Sequence, residues 1–344
     1  MKKVLYITNI EVPYRVRFFN ELAKHCELTV LYESRGTEDR NKEWAKSECT
    51  SHKTKYLRSR VDVSGIIREI FSGHDKIIIG CYNNPVQMVA ILVMRLLCKP
   101  YIINLDGETF LEGNSLKVRM KRFFLKGAEQ YLVAGEKAGH SLGKVAGNKK
   151  IMPYYFSSLS EREIKEHREA AQSVFRDNVI LVVGQYFDYK GMDIALEAAR
   201  MDTTLHYKFV GMGTRTKLFM QNHEIPENVE IIPFLQKGEL EEEYKKCTML
   251  VLPSRQECWG LVINEAASFG TPIVSTWGSG AAVEFLADRY PQYLAKPGDA
   301  KALYKCICEC IWAEDKEQYC EYLLKKSNNY TIEKSVQAHM QVLS

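Results

Sequence analysis

Apolar residues along this chain come in short runs, each followed by a stretch in which they return with a period near 3.6. Residues 4–8 read as a strand, and a helix follows from about Arg15 to His25, with Phe18, Phe19, Leu22 and Ala23 on one side. Residues 28–32 and 76–80 are further strands. A helix over 85–98, a strand over 101–105, a basic helix and a strand over 130–134 complete this half. Such alternation predicts a mostly parallel sheet covered on both faces. Ligands of such sheets sit at the carboxyl ends of the strands.

Residues 157–176 (SSLSEREIKEHREAAQSVFR) are highly charged, hold few large apolar residues, and read as a linker. Strands are then predicted over 178–183, 207–211, 229–233, 249–253 and 272–275, with helices over 192–200, 214–222, 240–246 and 260–269. From Ala300 the tail reads as helical. The expected fold is α/β, two Rossmann-like domains with parallel sheets facing across a cleft. Their expected limits are 1–156 and 157–325, with a helix over 326–344 packing back on the first domain.

A chain of 344 residues has room for two cores, and 46% apolar content is ordinary for a globular protein. The longest apolar run, 86–98, contains Gln87 and Arg95 and is too short to span a bilayer. Met1-Lys2-Lys3 leads into an apolar stretch too short for a signal peptide, so a cytoplasmic location is expected. The ten cysteines are scattered and read as reduced thiols. Cys306 and Cys310 share a helix face while Cys308 points elsewhere, which argues against a metal site there.

A net charge of +4 does not imply nucleic acid. Its distribution says more: Lys117, Arg119, Lys121, Arg122 and Lys126 alternate with Met120, Phe123, Phe124 and Leu125. Such a helix can lie on an anionic membrane surface, or present an ordinary solvated face.

The stretch richest in chemistry is Pro253-Ser254-Arg255-Gln256-Glu257-Cys258-Trp259-Gly260-Leu261-Val262-Ile263-Asn264-Glu265-Ala266. It leaves a strand's carboxyl end and enters a helix near Gly260. The amides of Gly260, Leu261 and Val262, together with the helix dipole, form a seat for a phosphate. Glu257 and Glu265 flank that seat. Eight helical residues rise roughly 12 Å, an upper bound here and about the length of a diphosphate with a sugar. One carboxylate can reach a sugar and the other a ribose, both being acceptors suited to vicinal hydroxyls. A second loop, Gly184-Gln185-Tyr186-Phe187-Asp188-Tyr189-Lys190-Gly191, ends in a lysine just before a helix. That placement opposes the dipole unless an anion sits there, which makes Lys190 a candidate diphosphate clamp.

These segments resemble the retaining family-4 glycosyltransferases of GT-B fold. Glu257 to Glu265 reproduces their E-x7-E pattern, and Val183-Gly184 to Lys190-Gly191 resembles their VGR…KG loop. Val210-Gly211-Met212-Gly213 is similar to their VGxG turn, and Gly270-Thr271-Pro272-Ile273-Val274 to their GxPVV strand. The resemblance covers about residues 180–290. It is weaker in the first half, where Pro13-Tyr14-Arg15-Val16-Arg17-Phe18-Phe19 is similar to the start of polysaccharide-assembly members.

The resemblance implies that Glu257 contacts the donor sugar, Glu265 the ribose and Lys190 the diphosphate. It places the backbone around Phe234 and Leu235 beside the base, the donor on the second domain and the acceptor on the first. Gln185 stands where the family usually has arginine, and Ile10-Glu11-Val12 replaces a glycine pair. Arg15 or Arg17 is a candidate for the missing charge, and Asp106 for an acceptor-side group. The expected activity is retaining transfer of a hexosyl- or pentosyl-type sugar from a nucleotide-diphosphate sugar to a saccharide or lipid-linked acceptor. No cofactor or metal is implied. Alternatives are a sugar-nucleotide epimerase and a non-catalytic nucleotide-sugar or carbohydrate-binding protein. A nicotinamide oxidoreductase is disfavoured, because Thr8-Asn9-Ile10-Glu11 replaces the glycine-rich turn it needs.

Overall fold

The computed structural model describes residues 1–34, 50–59, 62–107, 111, 113–147, 149–171 and 178–344. The chain divides into two compact units, Met1–Ser158 with Ile332–Ser344, and Leu159–Thr331. The expected divisions were after 156 and after 325.

In the first unit the elements are β1 (Lys3–Ile10), α1 (Pro13–Leu22), β2 (Glu27–Ser34), β3 (Lys53–Tyr56), α2 (Val63–Ile70), β4 (Lys76–Gly80) and α3 (Pro85–Leu96). They continue as β5 (Ile102–Leu105), α4 (Leu116–Leu125), β6 (Gln130–Ala134), α5 (Glu136–Ala146) and β7 (Lys150–Tyr154). The strands form one parallel sheet in the order β3-β2-β1-β4-β5-β6-β7. Alternate residues of β1 serve opposite faces, as strand geometry requires. Leu5 and Ile7 join the core that includes Ile66 of α2 and Ala90 of α3. Tyr6 meets Phe19 of α1 edge-on, ring centroids 4.8 Å apart.

In the second unit, α6 (Glu161–Ala171) precedes β8 (Val179–Val183), α7 (Met192–Met201), β9 (His206–Val210), α8 (Thr216–Asn222) and β10 (Val229–Ile232). Then come α9 (Lys237–Lys246), β11 (Met249–Leu252), α10 (Leu261–Ser268), β12 (Ile273–Thr276), α11 (Gly280–Leu286) and β13 (Leu294–Ala295). Helices α12 (Ala300–Ile311) and α13 (Lys316–Ser327) close the unit, and α14 (Ile332–Leu343) returns to the first one. The second sheet is also parallel, in the order β10-β9-β8-β11-β12-β13.

Helix α14 is held in the first unit by buried polar contacts. The ring of His339 lies 2.6 Å from Asn104 Oδ1 through Nε2 and 2.7 Å from the Ser335 carbonyl through Nδ1. Burial pushes this imidazole down to about 4. Lys2 Nζ donates to the Leu343 carbonyl at the helix end, 2.7 Å away.

One expectation is overturned. Residues 161–171, placed in a linker, are α6 and belong to the second unit, while 172–176 lie outside the described residues. A capping box starts this helix: Ser160 N donates to Glu163 Oε2 at 2.8 Å, and Glu163 N donates to Ser160 Oγ at 3.3 Å. Two buried residues, Ile164 and His167, anchor it. His167 stacks on Phe269 with ring centroids 4.0 Å apart and pairs with Ser268 Oγ at 2.8 Å. The aromatic platform that makes so polar a helix stable comes from a distant part of the chain.

On α12, Cys306 and Cys310 are buried and Cys308 is partly exposed. Among the described residues no three His, Cys, Asp or Glu side chains gather as a metal site.

Candidate functional site

Strands β8 and β11 are neighbours at the centre of the second sheet. The chain leaves β8 towards β9 on one side, and β11 towards β12 on the other. Their carboxyl ends therefore border the crevice at a topological switch point, the usual ligand position in open α/β sheets. The loop after β8 carries Lys190 and the loop after β11 carries Glu257. Their side chains form an ion pair, Lys190 Nζ donating to Glu257 Oε2. The two side chains are only 22% and 16% exposed, so this is not a solvated surface pair.

Backbone contacts bring the two loops together. Tyr189 O accepts from Arg255 N at 2.9 Å and from Gln256 N at 3.1 Å, stitching one loop to the other. The Arg255 guanidinium forks onto Asp193 at 2.8 and 2.5 Å and donates to Asp188 O at 2.7 Å. Burial raises the pKa of Asp193, and the hydrogen bonds and charge of Arg255 more than reverse this, so it lies below the usual carboxylate value. On its other side Glu257 N donates to Gly278 O at 2.8 Å, and Gly280 N donates to Glu257 O at 3.0 Å. Between the loops sits Gly191, at φ 69°, where a Cβ would lie 2.1 Å from the Pro253 carbonyl oxygen. Only glycine allows both that φ and that approach.

Helix α10 begins beside Glu257. Its N-cap, Gly260, makes no side-chain cap. Leu261 and Val262 occupy the first turn, where a helix offers no acceptor of its own for the amides. One turn further on, the half-buried Glu265 accepts from Tyr244 Oη on α9 at 3.1 Å. Burial, reinforced by the charge of Glu265, holds the Tyr244 phenol well above its usual pKa, so it remains a donor.

The remaining expected donor residues lie along the same sheet edge. Gly184 N donates to Val210 O at 2.9 Å at the end of β8, and Gln185 O accepts from Phe187 N at 3.0 Å. Phe234 and Leu235, half-buried, follow β10. Strand β10 lies two positions from β8, which at ordinary strand spacing is roughly 10 Å. A cation that sequence reasoning passed over, Arg215, stacks over Phe187 at 4.0 Å from the ring centroid.

Arg15, Arg17 and Asp106 belong to the first unit. Arg15 Nη2 pairs with Asp106 at the end of β5, where Tyr154 Oη also donates to Asp106 Oδ1 at 3.2 Å. Arg17 Nη1 donates to Ser158 O at 2.8 Å. Both guanidiniums thus have partners inside their own unit.

Sequence reasoning also missed Tyr244, Asp193 and Arg255. Asp193 and Arg255 sit in the motif segments, but their pairing depends on the loops meeting. Tyr244 sits on a charged helix with no motif around it.

Residues 163–326 match the family model described as glycosyl transferases group 1. An uncharacterized glycosyltransferase of Methanocaldococcus jannaschii is 27% identical over 242 residues, 68% of this chain and 65% of that protein. The chain spans less than two thirds of the length of the curated relatives it matches. Sucrose-phosphate synthase of Thermosynechococcus elongatus superposes with a TM-score of 0.73 at 15% identity, covering 100% of this chain and 98% of that one. HepE of Anabaena, solved in complex with UDP-glucose, gives 0.70 at 16% identity, covering 100% and 99%. At such identities the likeness is one of fold, the GT-B architecture of two Rossmann-like units.

Proposed function

We propose that this chain, which carries a glycosyl transferases group 1 domain over residues 163–326, moves a sugar from a nucleotide-diphosphate sugar to a hydroxyl acceptor. The observation that carries the reading is the Lys190–Glu257 pair at the β8/β11 switch point, beside the uncapped start of α10. In this reading the donor's diphosphate takes over Lys190 and the amides of Leu261 and Val262, and the sugar hydroxyls take over Glu257. Glu265, held by Tyr244, binds the ribose hydroxyls. The segment around Phe234 and Leu235 borders the base. UDP-glucose, bound by the HepE relative, is a donor of this class.

Transfer breaks the bond between the anomeric carbon and a phosphate oxygen while the acceptor oxygen bonds to that carbon. Negative charge develops on the diphosphate, and in this reading Lys190 and the α10 amides stabilise it. No metal is needed for that task in this reading, and Arg215 is the candidate for the second positive charge that Gln185 does not supply. We favour attack on the leaving-group face, so that configuration is retained and the leaving phosphate takes the acceptor's proton. The acceptor is a saccharide or lipid-linked oligosaccharide handled by the first unit, with Asp106 the candidate polar group. The basic segment 117–126 provides peripheral contact at the inner face of the cytoplasmic membrane.

Thermal shift with nucleoside diphosphates and their sugar conjugates tests the donor site. At a hundred times its dissociation constant, a ligand stabilises by about 2.7 kcal/mol. Wild type should respond to one nucleotide series and Glu265→Ala should not. No response in folded wild type, or an equal response in both proteins, sinks the assignment. Release of nucleoside diphosphate during turnover separates an enzyme from a binding protein.

Tyr244→Phe removes one hydrogen bond to a carboxylate, worth about 1.5 kcal/mol at the low end for a charged partner. The donor KM should rise about tenfold while kcat stays near wild type, read from steady-state kinetics. A fall in kcat at constant KM would show that Tyr244 does not act through Glu265 on donor binding.

A further inference from the structure

Helices α2, α3 and α4 share a surface that the sheet core does not use. More than half of the large apolar side chains that stand exposed among the described residues lie on them or at their ends. Phe71 is 55% exposed at the end of α2, Leu96 83% at the end of α3, and Leu116 and Phe123 are 73% and 52% exposed on α4. Met120 lies between the last two, so Leu116, Met120 and Phe123 follow the i, i+4, i+7 spacing of a single stripe.

Two cations join the helices into one surface. Lys99 Nζ lies 4.5 Å from the Phe71 ring centroid, and Arg95 lies 4.8 Å from that of Phe123 while donating to the Phe123 carbonyl at 2.7 Å. Every charged residue on α2, α3 and α4 is a base except Glu69, which is buried and paired with Lys55. Behind Arg95 and Lys99 a cavity of about 350 Å³ opens, lined also by Lys149 and by one carboxylate, Glu129.

We infer that this surface docks the first unit on an anionic phospholipid bilayer, with the exposed apolar side chains entering the interface and the bases lying among headgroup phosphates. The charge decides the occupant. The exposed charges of the three helices are all basic, and at the cavity Arg95, Lys99 and Lys149 outnumber the one carboxylate, Glu129, so the face attracts anionic headgroups. Apolar tips ringed by Lys and Arg suit the boundary between headgroup and acyl chain. A second copy of the chain would bring base against base on the same face, which costs free energy. The cavity takes a headgroup phosphate between Arg95, Lys99 and Lys149. Among the described residues no helix is long and apolar enough to cross a membrane, so docking is peripheral. The inference extends the membrane contact proposed for segment 117–126 to three helices, and it rests on neither the donor nor the acceptor assignment.

The test is co-sedimentation of the full chain with phosphatidylcholine vesicles, with and without phosphatidylglycerol, alongside donor thermal shift on the same samples. Binding should require phosphatidylglycerol and weaken with salt. Lys117→Gln with Arg119→Gln, two exposed bases, should lower partitioning about 30-fold at low salt, at about fivefold per base. Leu96→Ser with Met120→Ser should also lower it, with the melting temperature and donor response unchanged. Equal binding to both vesicle types, no binding, or binding unaffected by either double variant would overturn the proposal. So would a concentration-dependent dimer disrupted by the same substitutions without vesicle binding.

Discussion

Lys190→Ala is expected to cut turnover by about 10²–10³-fold, the usual loss when one preorganised donor is removed from a developing negative charge. The effect should fall on kcat more than on donor KM, because the charge on the diphosphate oxygen grows along the reaction. Glu257→Gln should also abolish most turnover, yet bind free nucleoside diphosphate several-fold more tightly. In the ligand-free protein the Lys190 ammonium is shared with Glu257, and a diphosphate must compete for it. A glutamine keeps the shape and releases the lysine. Calorimetric titration with nucleoside diphosphate and initial rates of its release from donor measure both effects. Weaker diphosphate binding in Glu257→Gln, or turnover within threefold of wild type in Lys190→Ala, would remove these residues from the proposed roles. Either result would leave the fold and its family match untouched.

The second large effect concerns the joint between the two loops. Gly191→Ala places a Cβ 2.1 Å from the Pro253 carbonyl oxygen at a residue held at φ 69°. A non-glycine residue in the left-handed region costs about 1–3 kcal/mol, and a collision with backbone adds to that. A loss of roughly 3–4 kcal/mol in unfolding free energy is expected from chemical denaturation. Gly213→Ala is the control: its φ is 55°, and its Cβ would meet nothing within 4 Å, so only the conformational part applies. Donor affinity should fall with Gly191→Ala even well below the denaturation midpoint, because relieving the collision separates Lys190 from Glu257. Equal costs for the two variants would mean that the loops move apart freely and that their contact does not position the pair.

Periodicity and motif alone carried most of the second unit. The apolar runs of β8 and β11 are bounded by turn residues, and the helix after Gly260 is marked by that glycine and the motif around it, so each is legible without a partner. The same reasoning stopped at α6. Its apolar content is low, and the sequence presents a linker. The Ser160–Glu163 capping box was a local signal that could have been read, whereas the stacking of His167 on Phe269 was not local at all.

The amino-acid sequence by itself determined the alternation of strand and helix, the helical character of the tail, and the residue types at the head of α10. It did so because main-chain hydrogen bonding and hydrophobic periodicity are satisfied over a few residues at a time. The tertiary structure alone decided which of those residues meet. Lys190 and Glu257 are 67 positions apart and pair because β8 and β11 are sheet neighbours. Asp193 receives Arg255 because the loops touch at Gly191. Tyr244 reaches Glu265 because α9 packs against α10. An ion pair or a hydrogen bond depends on distance in space, and strand order sets that distance.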